Sequence, residues 1–263
     1  MTLMYANVSQ MQRWVQQVRI GLRTRGYYYE PEFFCDLSDA PLFIQITKLF
    51  GDLYIPIGTE NTHPFLQTRP ISSAPLWRPF DQRAPIRWHN DFSTRAKRPE
   101  LSLSWIQQED PAGYDNGAWW VASSAAVVAK LHQTREGKRL VTNLAKQAEP
   151  FGYRDAGGWR SFRIIVRANC SVRQSGLRFY GRALREGAWL RYGKVPERTK
   201  EIVSRIEEAA DSVREVLPAT TGSLLIVHNS LGLHYRSPQT VSGPKENRRK
   251  ALLGFVKKLH QPL

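Results

Sequence analysis

The feature that most constrains this chain is a set of short apolar runs, each closed by a turn signal. "LSLSWIQ" (101–107), "GAWWVAS" (117–123), "GSLLIVHNS" (222–230) and "KALLGFVKKL" (250–259) are rich in β-branched, leucine and aromatic residues. They are too short for membrane spans and are bounded by Gly, Pro, Asn or Ser. "SFRIIVRA" (161–168) and "LRFYGRAL" (177–184) also read as extended. Strands of this length, with helices confined to the start and to insertions, predict an antiparallel jelly-roll core with flanking helices. The 263 residues, 41% hydrophobic, suffice for one domain over 1–263.

Periodicity places the helices. Met11, Trp14, Val15, Val18 and Leu22 recur at steps of three and four, predicting a helix from Ser9 to Arg25. "YYYE" then enters the core as a strand. Asp39 is a candidate N-cap for "PLFIQITKLFG", with Gly51 after its end. A helical insertion is expected near 124–150. A further helix is expected from about Glu201 to Leu217, with Ile202, Ile206, Ala209, Val213 and Val216 on one stripe. From Gly58 to Ile86 the chain is rich in Pro, Ser and Thr and reads as a long loop.

Composition narrows the partners. The net charge is +15 and basic residues run the length of the chain, with short clusters at 95–98, 137–139 and 247–250. Such a charge favours acidic partners. No helix-turn-helix, zinc-finger, RNP or basic-arm pattern accompanies it, so specific nucleic-acid recognition is not expected. A basic, non-enzymatic nucleic-acid-binding protein on a jelly-roll scaffold is the alternative reading. Cys35 and Cys170 make neither a disulfide framework nor a zinc cluster. With no apolar run near the length of a membrane span and no signal-peptide pattern, a cytoplasmic location and no membrane partner are expected. The oligomeric state is not legible.

"RWHNDFST" (87–94) carries the sharpest chemistry. On a strand, residues i and i+2 share a face, so His89 and Asp91 would converge on one point. One imidazole and one carboxylate are two thirds of the 2-His-1-carboxylate triad that holds non-haem Fe(II). Alone, H-x-D is a common chance pairing. Of the other histidines, His132 and His260 read as surface residues and His63 lies in the long loop. His228 and His234 stand together in "LLIVHNSLGLHYRS", at a strand end and the strand that returns.

In order, "RWHNDFS", "GSLLIVHNSLGLHYR" and "RRKALLGF" resemble the taurine dioxygenase and clavaminate synthase-like branch of Fe(II)/2-oxoglutarate oxygenases. That family has an H-x-D/E motif, a distal His after a short turn, and an Arg about a dozen residues on. The resemblance implies a double-stranded β-helix (jelly-roll) core. It implies Fe(II) held by His89, Asp91 and His234, with 2-oxoglutarate and O2 as co-substrates. It also implies that Arg249, or its neighbour Arg248, binds the distal carboxylate of 2-oxoglutarate. His228 falls at the acidic position of the family's turn and is the fallback third ligand. Where the family has a Thr that helps hold the co-substrate, "DNGAWW" puts Trp119. Its indole N–H either replaces that donor or is an ordinary strand aromatic.

The activity implied is hydroxylation of an unactivated C–H of a small molecule. Desaturation or ring closure would use the same ligands. If 177–184 is extended, Arg178, Tyr180 and Arg182 share a face and are candidate substrate contacts, as is Phe92 beside the ligands. Arginines there would suit an anionic or amino-acid-like substrate.

Overall fold

In the computed structural model the described residues are 8–33, 40–55, 65–71, 79–153, 158–167 and 175–263. In chain order the elements are α1 (Val8–Arg25), β1 (Tyr27–Glu30), α2 (Ala40–Phe50), β2 (Gly51–Leu53), β3 (Phe65–Thr68), β4 (Ile86–His89), β5 (Leu101–Gln108) and β6 (Trp119–Ser123). Next come α3 (Ser124–Leu131), α4 (Arg135–Lys146), β7 (Ala148–Tyr153), β8 (Gly158–Arg163), β9 (Ile165–Arg167), β10 (Ser175–Leu177), α5 (Gly181–Tyr192) and α6 (Glu197–Ser212). The chain closes with β11 (Glu215–Leu217), β12 (Leu224–His228), β13 (Gly232–Arg236) and β14 (Lys250–Leu259).

The core is the expected antiparallel jelly-roll type. One sheet runs β1-β12-β5-β14-β2, with β3 also on β14; the other runs β11-β6-β13-β4. Two-residue alternation sorts each strand between layers. On β12, Leu224 and Ile226 pack outward with Leu103 and Trp105 against α1 and α2 residues such as Val18, Phe43 and Ile46. Leu225 and Val227 face the other way and join Trp119, Val121 and Ala251 between the sheets. On the far side of the smaller sheet, Trp88, Ala122 and Leu233 pack on Val127, Leu184, Val203 and Ile206 of the helices. Helices therefore cover both outer faces, and the space between the sheets is left for a site.

Several expectations need correction. The helix expected over 201–217 is α6, which starts at Glu197 beyond Pro196 and ends at Ser212. The stretch 215–217 instead adds a strand to β6, with Val216 opposite Trp120, and Val216 is 53% exposed. Residues 177–184 are not one strand: β10 ends at Leu177 and α5 begins at Gly181. "SFRIIVRA" breaks at Ile164, and its first part pairs with β7 in a separate hairpin. The helical insertion is α3 and α4, and it gives way to β7 at Ala148. Within 58–86 the described parts include β3 and a 3-10 turn at Pro79–Asp81. Asp39, His63, Cys35 and Cys170 lie outside the described residues.

Candidate metal centre and its cavity

Strand pairing sets His234 of β13 directly opposite His89 of β4, with ring centroids 4.1 Å apart. Both face inward, opposite in parity to Trp88 and Leu233. Asp91 follows in a turn rather than on the strand, yet its carboxylate reaches both rings. His89 Nε2 is 3.5 Å from Asp91 Oδ1, and His234 Nε2 is 3.5 Å from Asp91 Oδ2. The three ligand atoms lie within 4.8 Å of one another, and among the described residues no other such group of His, Cys, Asp or Glu occurs.

Asn90 and Asn229 hold this turn in place. Asn90 Nδ2 donates to the Gly232 carbonyl at 2.7 Å, and the Phe179 N–H donates to Asn90 Oδ1 at 2.8 Å. The Asp91 N–H donates to Asn229 Oδ1 at 3.0 Å. Phe92 then turns the chain at a φ of 54°, uncommon for a residue with a side chain. Its ring packs edge-on against Phe255 and beside Tyr54, at 5.0 and 5.1 Å.

The donor set fits a cation. His89 Nδ1 is 2.8 Å from the Arg87 carbonyl, which only accepts, so Nδ1 carries the proton and Nε2 presents a lone pair. That lone pair faces a carboxylate oxygen: two acceptors meet in a buried space, which a metal ion reconciles. Donors on one face of an octahedral site stand about 3 Å apart, since metal–ligand bonds are about 2 Å. Burial, and then the adjacent His234, push the His89 imidazole below its usual range, keeping it neutral. Burial would raise the Asp91 carboxyl. The His234 imidazole beside it, the foremost lowering influence, outweighs that and holds it well below the usual carboxylate range.

A cavity continues from the triad between the sheets, walled by Ile86, Leu253 and Phe255 and reaching Trp119, Arg236 and Arg249. Arg249 is buried, with its guanidinium 6.0 Å from the centre of the Trp119 ring, and its Nε has no hydrogen-bond partner among the described residues. Burial pushes it down to about 10. Arg248 turns away and donates to the carbonyls of Pro70 and Gly243, both at 2.9 Å. His228 sits apart from the triad: its Nδ1 accepts the N–H groups of Ser230 and Leu231, at 3.1 and 3.2 Å, which closes the β12–β13 turn.

The substrate contacts expected at 177–184 do not share one face. Arg182 lies in the first turn of α5, where it pairs with Glu186 at 2.7 Å. Arg178 donates to the Arg95 carbonyl at 3.3 Å, and Tyr180 bridges β4 at His89. Phe92, Arg178 and Tyr180 do not line the cavity, whereas Arg236, which sequence reasoning missed, does. Arg236 is two residues after His234 on the same face, and that spacing was the available signal. Its guanidinium donates to the carbonyls of Gln82, Ala84 and Ser237 at 3.0, 2.8 and 2.8 Å. Burial, and then the Arg249 charge, push it down to about 9.

No protein-family model matches the sequence, and no curated protein matches it either. Solved structures do. Over 96% of this chain and 80% of the other, the fold is similar to an asparagine oxygenase in complex with Fe(II), 2S,3S-3-hydroxyasparagine and succinate, at 15% identity and a TM-score of 0.71. The non-heme iron oxygenase OrfP, in complex with Fe, succinate and (3S)-hydroxy-L-Arg, is similar over 94% of this chain and 79% of its own, at 12% identity and a TM-score of 0.67. PvcB from Pseudomonas aeruginosa is similar over 93% and 79%, at 14% identity and a TM-score of 0.64. At such identities the likeness establishes one thing, the fold: this chain folds as those iron oxygenases do.

Proposed function

We propose that this chain is a single-domain Fe(II)- and 2-oxoglutarate-dependent oxygenase that hydroxylates an unactivated C–H of a small, anionic or amino-acid-like substrate. One observation carries the reading: His89, Asp91 and His234 converge as a largely buried donor set at the end of a cavity that holds two buried arginines. His89 Nε2, His234 Nε2 and one Asp91 oxygen would hold Fe(II), leaving positions open for co-substrate and oxygen. Bound there, the metal supplies the oxygen chemistry, with 2-oxoglutarate as the source of electrons.

The chain's own residues bind, orient and exclude water. Arg249 is placed to fork onto the distal carboxylate of 2-oxoglutarate, and Arg236 beside it adds a second positive charge. Trp119 covers the Arg249 guanidinium and shields that ion pair. Ile86, Leu253 and Phe255 make an apolar wall, which strengthens charge interactions inside. The hydroxylated amino acids in the complexes of the asparagine oxygenase and OrfP support an amino-acid-like substrate. Among the described residues no helix is long and apolar enough to cross a membrane, and a cytoplasmic location accords with the two-cysteine composition.

The test is anaerobic addition of Fe(II) and 2-oxoglutarate to the purified chain. The expected result is a metal-to-ligand charge-transfer band in the visible that needs both additions. A chain that binds neither, yet binds one nucleic-acid sequence tightly at physiological salt, would instead be the basic binding protein.

A further inference from the structure

The segment from Pro79 to Ala84 is a single 3-10 turn and the residues that lead from it into β4. Such a segment has no backbone ladder for its carbonyls, so other groups must satisfy them. Here two residues of the chain after His234 do so. Arg236 donates to the carbonyls of Pro79, Gln82 and Ala84 at 3.4, 3.0 and 2.8 Å. Gln239 is buried, and its Nε2 donates to the carbonyls of Phe80 and Gln82 at 2.9 and 2.8 Å. The Gln239 N–H donates to the Arg83 carbonyl at 3.1 Å. Asp81, also buried, fastens the other side. Its carboxylate accepts the Arg69 N–H and its carbonyl accepts the Ile71 N–H, both at 2.9 Å.

The segment walls one end of the cavity, which Phe80 lines. β3 runs antiparallel to β14, with Thr68 opposite Ala251, so the residues past Thr68 lead back along β14 toward Arg249. The bond from Arg248 to the Pro70 carbonyl marks that course. Asp81 holds the two neighbours of Pro70, and Phe80 adjoins Asp81. Phe80 is thus carried to the Arg249 end of the cavity, whereas the triad sits one inward position further along β13, at His234. An acid bridging the triad and Arg249 therefore has a limited length to fill. Arg249 is itself held from behind, with Gly117 against its stem and Trp119 over its guanidinium. A longer acid would have to displace the wall beside the guanidinium, and the Phe80 ring is the large apolar group there.

We propose that Pro79–Ala84 is a strap, fixed by Arg236 and Gln239, that limits the length of 2-oxo acid the cavity accepts, with Phe80 as the residue that sets the limit. The inference rests on the oxygenase reading, in which Arg249 takes the distal carboxylate. It makes Arg236 and Gln239 positioning residues, because their donors hold the strap's backbone and leave the ring of Phe80 to meet the acid.

Anaerobic titration of the Fe(II)-loaded protein with 2-oxoglutarate and with 2-oxoadipate tests this through the charge-transfer band. The two acids share the group that meets the metal and differ by one methylene in the tail. The ratio of their affinities therefore reports on the tail end alone. Wild type is expected to favour 2-oxoglutarate by roughly ten- to two-hundredfold, the range for one methylene in a closed apolar pocket. In Phe80→Ala the ratio should fall toward unity, and in Phe80→Leu, a milder truncation that spares the fold, it should fall part of the way. Gln239 does not line the cavity, so Gln239→Leu can move the ratio only through the strap, and it should move it in the same direction. A merely structural loss would weaken both acids alike and leave the ratio unchanged. A wild type that binds both acids equally, or a ratio unmoved in both Phe80 variants, would overturn the limit set by Phe80 while the band itself upholds the oxygenase reading. A ratio moved by the Phe80 variants and not by Gln239→Leu would overturn the strap's part in it. No band with either acid would sink the oxygenase reading and this inference with it.

Discussion

A β-carbon on Gly117 would lie 2.6 Å from Cδ of Arg249. Gly117 also sits at a φ of +73°, so both backbone conformation and space demand glycine there. The consequence concerns the co-substrate. Gly117→Ala should push the Arg249 stem out of its channel and weaken 2-oxoglutarate binding by roughly tenfold or more, as expected for loss of a charged hydrogen bond. Fe(II) affinity should hold, because the triad lies elsewhere in the cavity. A titration of 2-oxoglutarate at saturating Fe(II) reads this. Unchanged affinity in a folded variant would detach Gly117 from the Arg249 position.

Arg249 and Arg248 give the sharper contrast. Arg249→Ala removes the fork that faces the cavity, and 2-oxoglutarate affinity should fall by roughly ten- to over a hundredfold. Arg249→Lys should recover part of it, since a point charge remains. Arg248 is engaged with the carbonyls of Pro70 and Gly243. Arg248→Ala should therefore leave co-substrate affinity near wild type and, at most, loosen that surface. The reverse pattern at matched iron occupancy would exchange the two assignments.

What could be read from the sequence follows from the range of the interactions involved. The apolar run of β12 and the stripe of α1 are local, and both stand as expected. His89 and Asp91 were legible because two-residue spacing aims side chains together, even though Asp91 falls just past the strand. The end of α6 was not legible: 215–217 leaves the helical pattern because β6 offers an edge to pair with. Nor was the switch to helix at Gly181. There the glycine lets α5 approach Val203 and Glu207 of α6, where a β-carbon would come within 2.7 and 2.9 Å. Arg236 is the exception, an inward residue two positions from His234 that was overlooked.

The triad itself is tested by metal, independently of turnover. His89→Ala, Asp91→Ala and His234→Ala should each lose the rise in Tm that Fe(II) gives to the wild type, and with it the charge-transfer band. His228→Asn should keep both, because His228 Nδ1 is committed to the N–H groups of the turn. Iron retained in His234→Ala and lost in His228→Asn would move the third ligand to His228.

His228 makes a separate prediction about acid. Its folded pKa is pushed down to about 4 by burial and the Arg98 charge, against an unfolded value of about 6.5. The unfolded chain therefore binds the proton first as pH falls. The stability that the neutral ring contributes is complete above about 6.5, declines below it, and is fully lost near the folded pKa. At pH 5 the loss relative to pH 7.5 should be about 2 kcal/mol from this residue. His228→Asn keeps an acceptor for the two turn N–H groups but has no proton to gain. It should start less stable at pH 7.5, since it fills less of a buried site, and lose less on acidification. Urea unfolding of metal-free protein in carboxylate-free buffer at the two pH values gives the comparison. Wild type and variant falling in parallel would mean that the buried imidazole does not govern this part of the acid response.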